Sequence, residues 1–124
     1  MPKQIIGVIR GVPISTGVKA GNYIFLSGQI GLVDERGNEL KGIEAQTRQA
    51  LENMKGILKE AGASLSDVVK VTIFLVNVDD FAKMNEVYKS YFTEDYPARS
   101  TVVVAALARP EMIVEIECIA YCPD

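Results

Sequence analysis

The clearest periodicity in the chain lies between residues 43 and 61. Apolar positions recur there every three or four residues, which is the spacing of a helix that buries one stripe. These positions are Ile43, Thr47, Ala50, Leu51, Met54, Ile57, Leu58 and Ala61. Gly62 follows at the place of a C-terminal capping glycine. Gly56 lies inside the helix, where glycine is unfavourable, and therefore predicts close packing against a neighbouring element.

A second apolar stripe predicts another helix after residue 80. Its members are Phe81, Met84, Val87, Tyr88 and Tyr91. Asp79 and Asp80 precede the stripe and are candidate N-caps, since short acidic side chains satisfy the first free N–H groups of a helix.

Strands are indicated by β-branched and aromatic runs and by alternation of polar and apolar residues. The predicted strands are 5–9, 22–30, 68–76, 100–107 and 112–121. The continuous apolar run at 68–76 predicts a strand covered on both faces. Residues 12–21, with Pro13, Gly17 and Gly21, are predicted to form a loop. Residues 34–38 and 64–67 are predicted to form short turns.

The order of these elements predicts an α+β fold with a mixed β-sheet and two helices packed on one face. The length of 124 residues fits a single domain over 1–124. Two helices cover only one face of such a sheet, yet the last strands are apolar on both sides. We therefore expect the second face to be covered by other copies of the chain.

The composition excludes several classes of catalytic and binding site. Hydrophobic residues make up 48% of the chain, the formal net charge is −3, and there is no histidine. Without histidine, Ser-His-Asp catalysis, imidazole proton transfer and histidine-bound metal are excluded. The acidic balance gives no basic surface for a nucleic acid or an anionic membrane.

The two cysteines, Cys118 and Cys122, are four residues apart near the C-terminus, and we take the stretch between them as a strand. That spacing separates their Cα atoms by about 13 Å, too far for a disulfide. We expect two reduced thiols, as in a cytosolic protein. The N-terminal residues have no signal-peptide pattern, and no apolar run is long enough for a membrane span, so a cytoplasmic location is expected.

Charged residues in the last two strands are the first candidates for chemistry. Alternation places Arg99 and Thr101 on one face of their strand, and Glu115 and Glu117 on one face of the next. Charges in an otherwise apolar sheet form either an ion pair between strands, a contact between subunits, or a functional site. The pattern alone leaves these alternatives open.

Longer motifs carry a family resemblance. The segments 97–102 (PARSTV) and 113–117 (IVEIE) closely resemble the C-terminal signature of the RidA/YjgF family. Further similarity follows in the same order at 21–22 (GN), 27–30 (SGQI), 46–53 (QTRQALEN), 69–72 (VKVT), 80–81 (DF) and 85–88 (NEVY). The resemblance covers nearly the whole chain.

The resemblance implies a chorismate-mutase-like fold and a homotrimer whose sheets surround a central barrel, with clefts between subunits. It implies an enzyme that hydrolyses reactive 2-imino or enamino acids, such as 2-aminoacrylate and its imine, to 2-keto acids and ammonia. The family arginine corresponds to Arg99, which would hold the substrate carboxylate. The family's catalytic glutamate corresponds to Glu115, which would activate water. No metal or organic cofactor is implied.

Other site residues follow from the same resemblance. Gly28, with its neighbour Ser27, corresponds to a backbone contact with the ligand, and Asn85 corresponds to an asparagine near the cleft. The residues themselves allow a β-bulge at Gly28 and a helix-surface polar group at Asn85. At two positions the chain departs from the family: Ile14 replaces a frequent tyrosine, and Thr101 replaces a frequent cysteine. Thr101 can still offer a hydroxyl and backbone groups to a ligand, whereas the departure at Ile14 removes a hydroxyl that could orient substrate or water.

Alternative functions remain at this stage. The same cleft could bind a 2-keto acid without turnover and act as a regulatory trimer, or it could belong to a related deaminase of the aminomuconate type. A ribonuclease activity, which is also attached to the family, is disfavoured by the acidic charge and by the absence of histidine.

Overall fold

The computed structural model describes residues 2–123, which form one mixed sheet and two helices. The elements are β1 (Gln4–Val8), β2 (Ser15–Ala20), β3 (Tyr23–Gln29), α1 (Ile43–Glu60), β4 (Val68–Leu75), α2 (Phe81–Tyr91), β5 (Ala98–Val103) and β6 (Val114–Tyr121). The strand order is β1-β2-β3-β6-β4-β5. All neighbours are antiparallel except β4 and β5, which are parallel and are connected through α2. The predicted α+β class and mixed sheet are confirmed.

Both helices lie on one face of the sheet, as predicted. Helix α1 packs on β3 and β6, and α2 packs beside α1. The core lies between the two layers and contains, among others, Leu51, Met54 and Leu58 of α1 with Ile73 of β4 and Ile116 of β6, all without solvent exposure. Neither helix in residues 2–123 is long and apolar enough to cross a membrane.

Most predicted turns and caps are found. The Asp34 carboxylate accepts hydrogen bonds from the backbone N–H groups of Arg36 and Asn38 and closes the turn at 34–38. Ser64 and Asp67 form a reciprocal capping box around a short 3₁₀ turn. Gly62 adopts φ of +83° just after α1, as a capping glycine should. Both cysteines are free thiols.

The prediction of a loop at residues 12–21 is wrong. Residues 15–20 form β2, which pairs with β1 on one side and β3 on the other. Small residues favour this pairing: a Cβ at Gly17 would lie 2.8 Å from the Leu26 side chain, so the glycine makes room for the neighbouring strand. Main-chain pairing on both edges outweighs the low strand propensity of glycine here.

Three finer predictions also need correction. Gly56 packs against nothing, because a Cβ there would meet no atom within 4 Å. Neither Asp79 nor Asp80 caps α2 with its side chain; Asn77 accepts from the Asp79 backbone N–H and caps the short 3₁₀ turn that leads into the helix. The last two strands are shorter than predicted, since β5 ends at Val103 and β6 begins at Val114.

The second face of the sheet is open within one copy. Large apolar side chains on it, Tyr23, Phe25, Val102 and Tyr121, are each more than 40% exposed. On β4 only alternate side chains are fully buried, so the prediction that both faces of this strand are covered fails for a single copy. The expectation that other copies cover this face stays a prediction.

Candidate active site

Arg99 lies on the helix side of the sheet. It is paired in register with Val71 of β4, whose side chain is fully buried beneath the helices. The guanidinium Nη1 donates a hydrogen bond of 2.7 Å to Asn85 Oδ1 on α2. This contact brings together two residues that the sequence had assigned to one site.

Two aromatic rings of α2 complete the surroundings of Arg99. The guanidinium carbon lies 4.6 Å from the ring centre of Tyr88 and 5.7 Å from that of Phe81. Phe81, Asn85 and Tyr88 are spaced four and three residues apart, so they share one helix face. Sequence analysis assigned both aromatic residues to the core stripe only. Their helical spacing from Asn85 was the signal that could have linked them to Arg99.

Arg99 has no acidic partner among residues 2–123. Its guanidinium donates to Asn85, and no carboxylate of these residues forms an ion pair with it. A guanidinium carries five N–H donors in a planar fork, so most of its donors are unused. An arginine that is held in place but not neutralised can bind a ligand carboxylate.

Thr101 lies two residues after Arg99 and faces the same side, in register with the buried Ile73. Its hydroxyl is enclosed and has no hydrogen-bond partner within the described residues. The predicted neighbourhood of Arg99 and Thr101 is therefore present, although this side chain is less accessible to a ligand than the sequence suggested.

Glu115 lies on the opposite, open face of the sheet. It is paired in register with Phe74 and is half-buried. Burial raises the pKa of the Glu115 carboxyl, and the negative charge of Glu117 on the same face raises it further. No hydrogen bond or ion pair joins its carboxylate to any residue in the part of the chain that the structure describes. Burial without a partner makes this carboxylate a stronger base than an exposed one.

Gly28 provides the space that Glu115 occupies. A Cβ built on Gly28 would clash with the Glu115 carboxylate. The pairing of β3 with β6 shifts register between Leu26 and Gln29, so Gly28 lies in a β-bulge. The two predicted interpretations of Gly28, a bulge and a functional position, are thus compatible.

Ser27 and Ile14 lie beside this bulge. The Ser27 hydroxyl donates to the Ser15 carbonyl at 2.6 Å and ties β3 to β2. Ile14 precedes Ser15 and is 46% exposed, so it presents an apolar side chain at the corner where the resemblance expects a tyrosine. Ser27, Gly28, Glu115 and Ile14 form one group, which we call the carboxylate half-site.

Arg99, Asn85 and Thr101 form the second group, which we call the arginine half-site. The two half-sites lie on opposite faces of the same sheet, because Arg99 shares the side of Val71 whereas Glu115 shares the side of Phe74. An ion pair between Arg99 and Glu115, one of the predicted alternatives, does not form within one copy. Within one copy the two side chains therefore leave the sheet on opposite sides.

Comparisons with known proteins define the class. The family model described as Endoribonuclease L-PSP matches residues 11–122. A RutC family protein of Pyrococcus abyssi is 53% identical over 110 residues, covering 88% of this chain and 86% of the relative. A protein of Dermatophagoides farinae named 2-iminobutanoate/2-iminopropanoate deaminase is 47% identical over 124 residues and covers 95% of both chains.

Comparison of the fold with solved structures indicates the same family. The crystal structure of Escherichia coli TdcF with bound serine superposes with a TM-score of 0.83 at 41% identity, covering 93% of this chain and 91% of that one. The protein is therefore a member of the RidA/YjgF family, which the L-PSP model represents.

Proposed function

We propose that the protein is an imine deaminase that hydrolyses 2-iminopropanoate, 2-iminobutanoate and their enamine forms to 2-keto acids and ammonia. The observation that carries this proposal is Arg99, whose guanidinium is held by Asn85 and two aromatic rings but is not neutralised by any carboxylate of residues 2–123. Names of relatives support it, since the Dermatophagoides farinae relative is named a 2-iminobutanoate/2-iminopropanoate deaminase and the TdcF structure holds serine, which also carries a carboxylate next to the carbon that bears nitrogen.

The opposite-face geometry supports a site shared between copies. Arg99 is carried by β5, the strand at one end of the sheet, and Glu115 lies on the open face. When the open face of one copy meets the β5 edge of the next, the two half-sites can face each other. Contacts of this head-to-tail kind form a ring when the rotation between copies closes, and the ring proposed here is a homotrimer with one cleft at each subunit contact.

The proposed reaction needs only these two half-sites and water. Arg99 holds the substrate carboxylate through paired N–H donors and fixes the position of the adjacent C=N carbon. Glu115 of the next copy accepts a proton from water, whose oxygen forms a bond to that carbon. Glu115 then gives that proton to the nitrogen of the resulting carbinolamine, the C–N bond breaks, and ammonia leaves. The carbinolamine hydroxyl loses its proton to Glu115 as the carbonyl of the 2-keto acid forms, and Glu115 releases this proton to water. The Glu115 charge also favours the protonated iminium, which is the more electrophilic form.

The test of activity follows pyruvate release from 2-aminoacrylate generated in place by a serine dehydratase, with semicarbazide to trap the remaining imine. The wild-type protein should accelerate pyruvate formation and lower the yield of semicarbazone. Arg99→Ala should weaken pyruvate binding and turnover together. Glu115→Gln should bind pyruvate and lose turnover, and undiminished activity in this variant would rule out the mechanism.

Mixing of inactive variants tests the shared site. Arg99→Ala and Glu115→Gln subunits are unfolded together, refolded at equal amounts and assayed. If each site uses Arg99 of one copy and Glu115 of the next, about a quarter of the sites regain both residues by random assortment. Recovery of activity to that level supports the shared site, and no recovery in a correctly assembled mixture contradicts it.

A binding protein without turnover is the second candidate, and the exposed Ile14 favours it, because the position offers no hydroxyl to a substrate or water. Pyruvate binding without any acceleration of imine hydrolysis would support this alternative. Ile14→Tyr in the same assay then shows whether a hydroxyl at this corner restores turnover.

A further inference from the structure

Tyr88 is the aromatic residue that most closely contacts Arg99. Its ring centre lies 4.6 Å from the guanidinium carbon, against 5.7 Å for Phe81. The two rings also differ in burial: Tyr88 is 7% exposed and Phe81 is 41% exposed. The Tyr88 contact is therefore shielded from water, where a cation over an aromatic ring is attracted most strongly.

A single hydrogen bond does not define the orientation of a planar group. The bond to Asn85 fixes one nitrogen of Arg99 but leaves the guanidinium able to turn about that point. Bidentate binding of a carboxylate requires the plane of the fork to be set in advance. An aromatic surface on one side of the guanidinium supplies that second restraint.

Tyr88 is itself held firmly. Its ring stacks on Phe92 with centres 4.7 Å apart, and Phe92 is only 4% exposed. The Tyr88 hydroxyl is buried and makes no hydrogen bond of good geometry within the described residues. Burial raises the pKa of this hydroxyl, whereas the nearby Arg99 guanidinium acts to lower it. The guanidinium therefore lies against the ring with the hydroxyl close by, and Tyr88→Phe, which removes only the oxygen, separates the two contributions.

We propose that Tyr88 is the positioning residue for Arg99: its ring sets the plane of the guanidinium and thereby the affinity for the carboxylate of the ligand. This inference deepens the proposed function and rests on it, because the carboxylate is that of the 2-imino or 2-keto acid. Tyr88 acts through its contact with Arg99, so its effect is on substrate affinity and not on the chemical step.

The experiment measures the dissociation constants of pyruvate and of methyl pyruvate, the ester that lacks the negative charge, by calorimetric titration. Residue 88 is varied to Phe and Leu, and to phenylalanine analogues with one, two or three ring fluorines, which progressively weaken the ring's attraction for a cation at nearly constant shape. Phe81→Leu is the matched control at the more distant ring. The size of the assembly in solution and the thermal melting temperature confirm that each variant is assembled and folded.

Tyr88→Phe should bind pyruvate within about twofold of the wild type, since the ring remains. Affinity for pyruvate should then fall stepwise with fluorination, and Tyr88→Leu should lose about two- to thirtyfold. Phe81→Leu should lose less affinity for pyruvate than Tyr88→Leu does. The affinity for methyl pyruvate should not fall along the fluorinated series. In turnover assays the KM of the fluorinated variants and of Tyr88→Leu should rise, while their kcat stays close to that of Tyr88→Phe.

Pyruvate affinity that is flat or improves across the fluorinated series would overturn the inference, and so would an equal loss of ester binding. A Tyr88→Phe variant as weak as Tyr88→Leu would assign the effect to the hydroxyl and also overturn it. The fluorinated series decides the matter even if Tyr88→Leu fails to fold. Wild-type protein that binds pyruvate but does not accelerate imine hydrolysis would contradict the proposed function and leave the binding series decisive for Tyr88.

Discussion

The carboxylate of Glu115 occupies the space that a side chain at Gly28 would need. The two residues lie on neighbouring strands, and a β-bulge in β3 brings the glycine backbone against the glutamate. This contact keeps the half-buried carboxylate on the open face, and the missing side chain is what allows it. Gly28 is therefore a steric requirement of the carboxylate half-site.

The first prediction concerns Gly28→Ala. The added methyl group should displace the Glu115 carboxylate and lower kcat by about 100-fold, since misplacing a catalytic group by about 1 Å has effects of this size. Pyruvate binding through Arg99 should change much less. Stopped assays of keto-acid release check the rate. Gly56→Ala is the matched control, and equal activity of the two variants would contradict the steric argument.

The second prediction compares two glycines at α1. Gly56 is exposed inside the helix, and a Cβ added there would meet no atom of another element within 4 Å, so Gly56→Ala should raise the free energy of unfolding by about 0.5–1 kcal/mol. Gly62 has φ of +83°, where a side chain is strained, so Gly62→Ala should lower it by about 1 kcal/mol. Urea titration measures both. If both substitutions changed the free energy of unfolding in the same direction, the surroundings of one of the two glycines would differ from those in the structure.

The third prediction concerns pH. The Glu117 charge helps to raise the pKa of Glu115, and the deprotonated carboxylate is the active base, so activity is lost as pH falls through that pKa. Glu117→Gln removes the repulsion and should move the acidic limb of the kcat/KM profile to lower pH. The exposed substitution Glu35→Gln is the control. A limb that stays in place or moves upward would exclude Glu115 as the titrating base.

The fourth prediction concerns Gln46, a buried polar residue of α1. Its amide donates to the carbonyls of Leu40 and Glu111 and accepts from the N–H of Ile113, two residues before Glu115. Gln46→Ala leaves those groups unpaired and should cost about 3 kcal/mol of unfolding free energy. Gln4→Ala, at an exposed position, should stay within about 0.5 kcal/mol. Chemical denaturation compares the two, and a loss of similar size in both would contradict the role of these bonds.

Local pattern was sufficient for the helices and for most strands. Helix α1 was predicted at 43–61 and runs from Ile43 to Glu60, because a long amphipathic stripe with a capping glycine is encoded by neighbouring residues. Strand β2 was missed because glycine and serine have low strand propensity, and its stability comes from two partner strands that are distant in sequence.

The site was less predictable than the fold. Alternation assigned Arg99 and Glu115 to a face of their own strands but could not relate the two faces to each other. That relation depends on how β5 and β6 each pair with β4, which is a long-range property. The family resemblance identified both residues. Only the register of the strands showed that the two residues lie on opposite faces of the sheet. The contacts of Tyr88 and Phe81 with Arg99 were hidden for the same reason, since both residues also fit a core stripe.

Placing the two half-sites on opposite faces has a consequence for dilution. If function requires one half from each of two copies, a separated chain carries both halves and yet has no complete site. A closed ring has as many sites as subunits, whereas an open pair has only one, so specific activity should report the state of assembly. Catalysis would then be switched off by dissociation alone, before any chain unfolds.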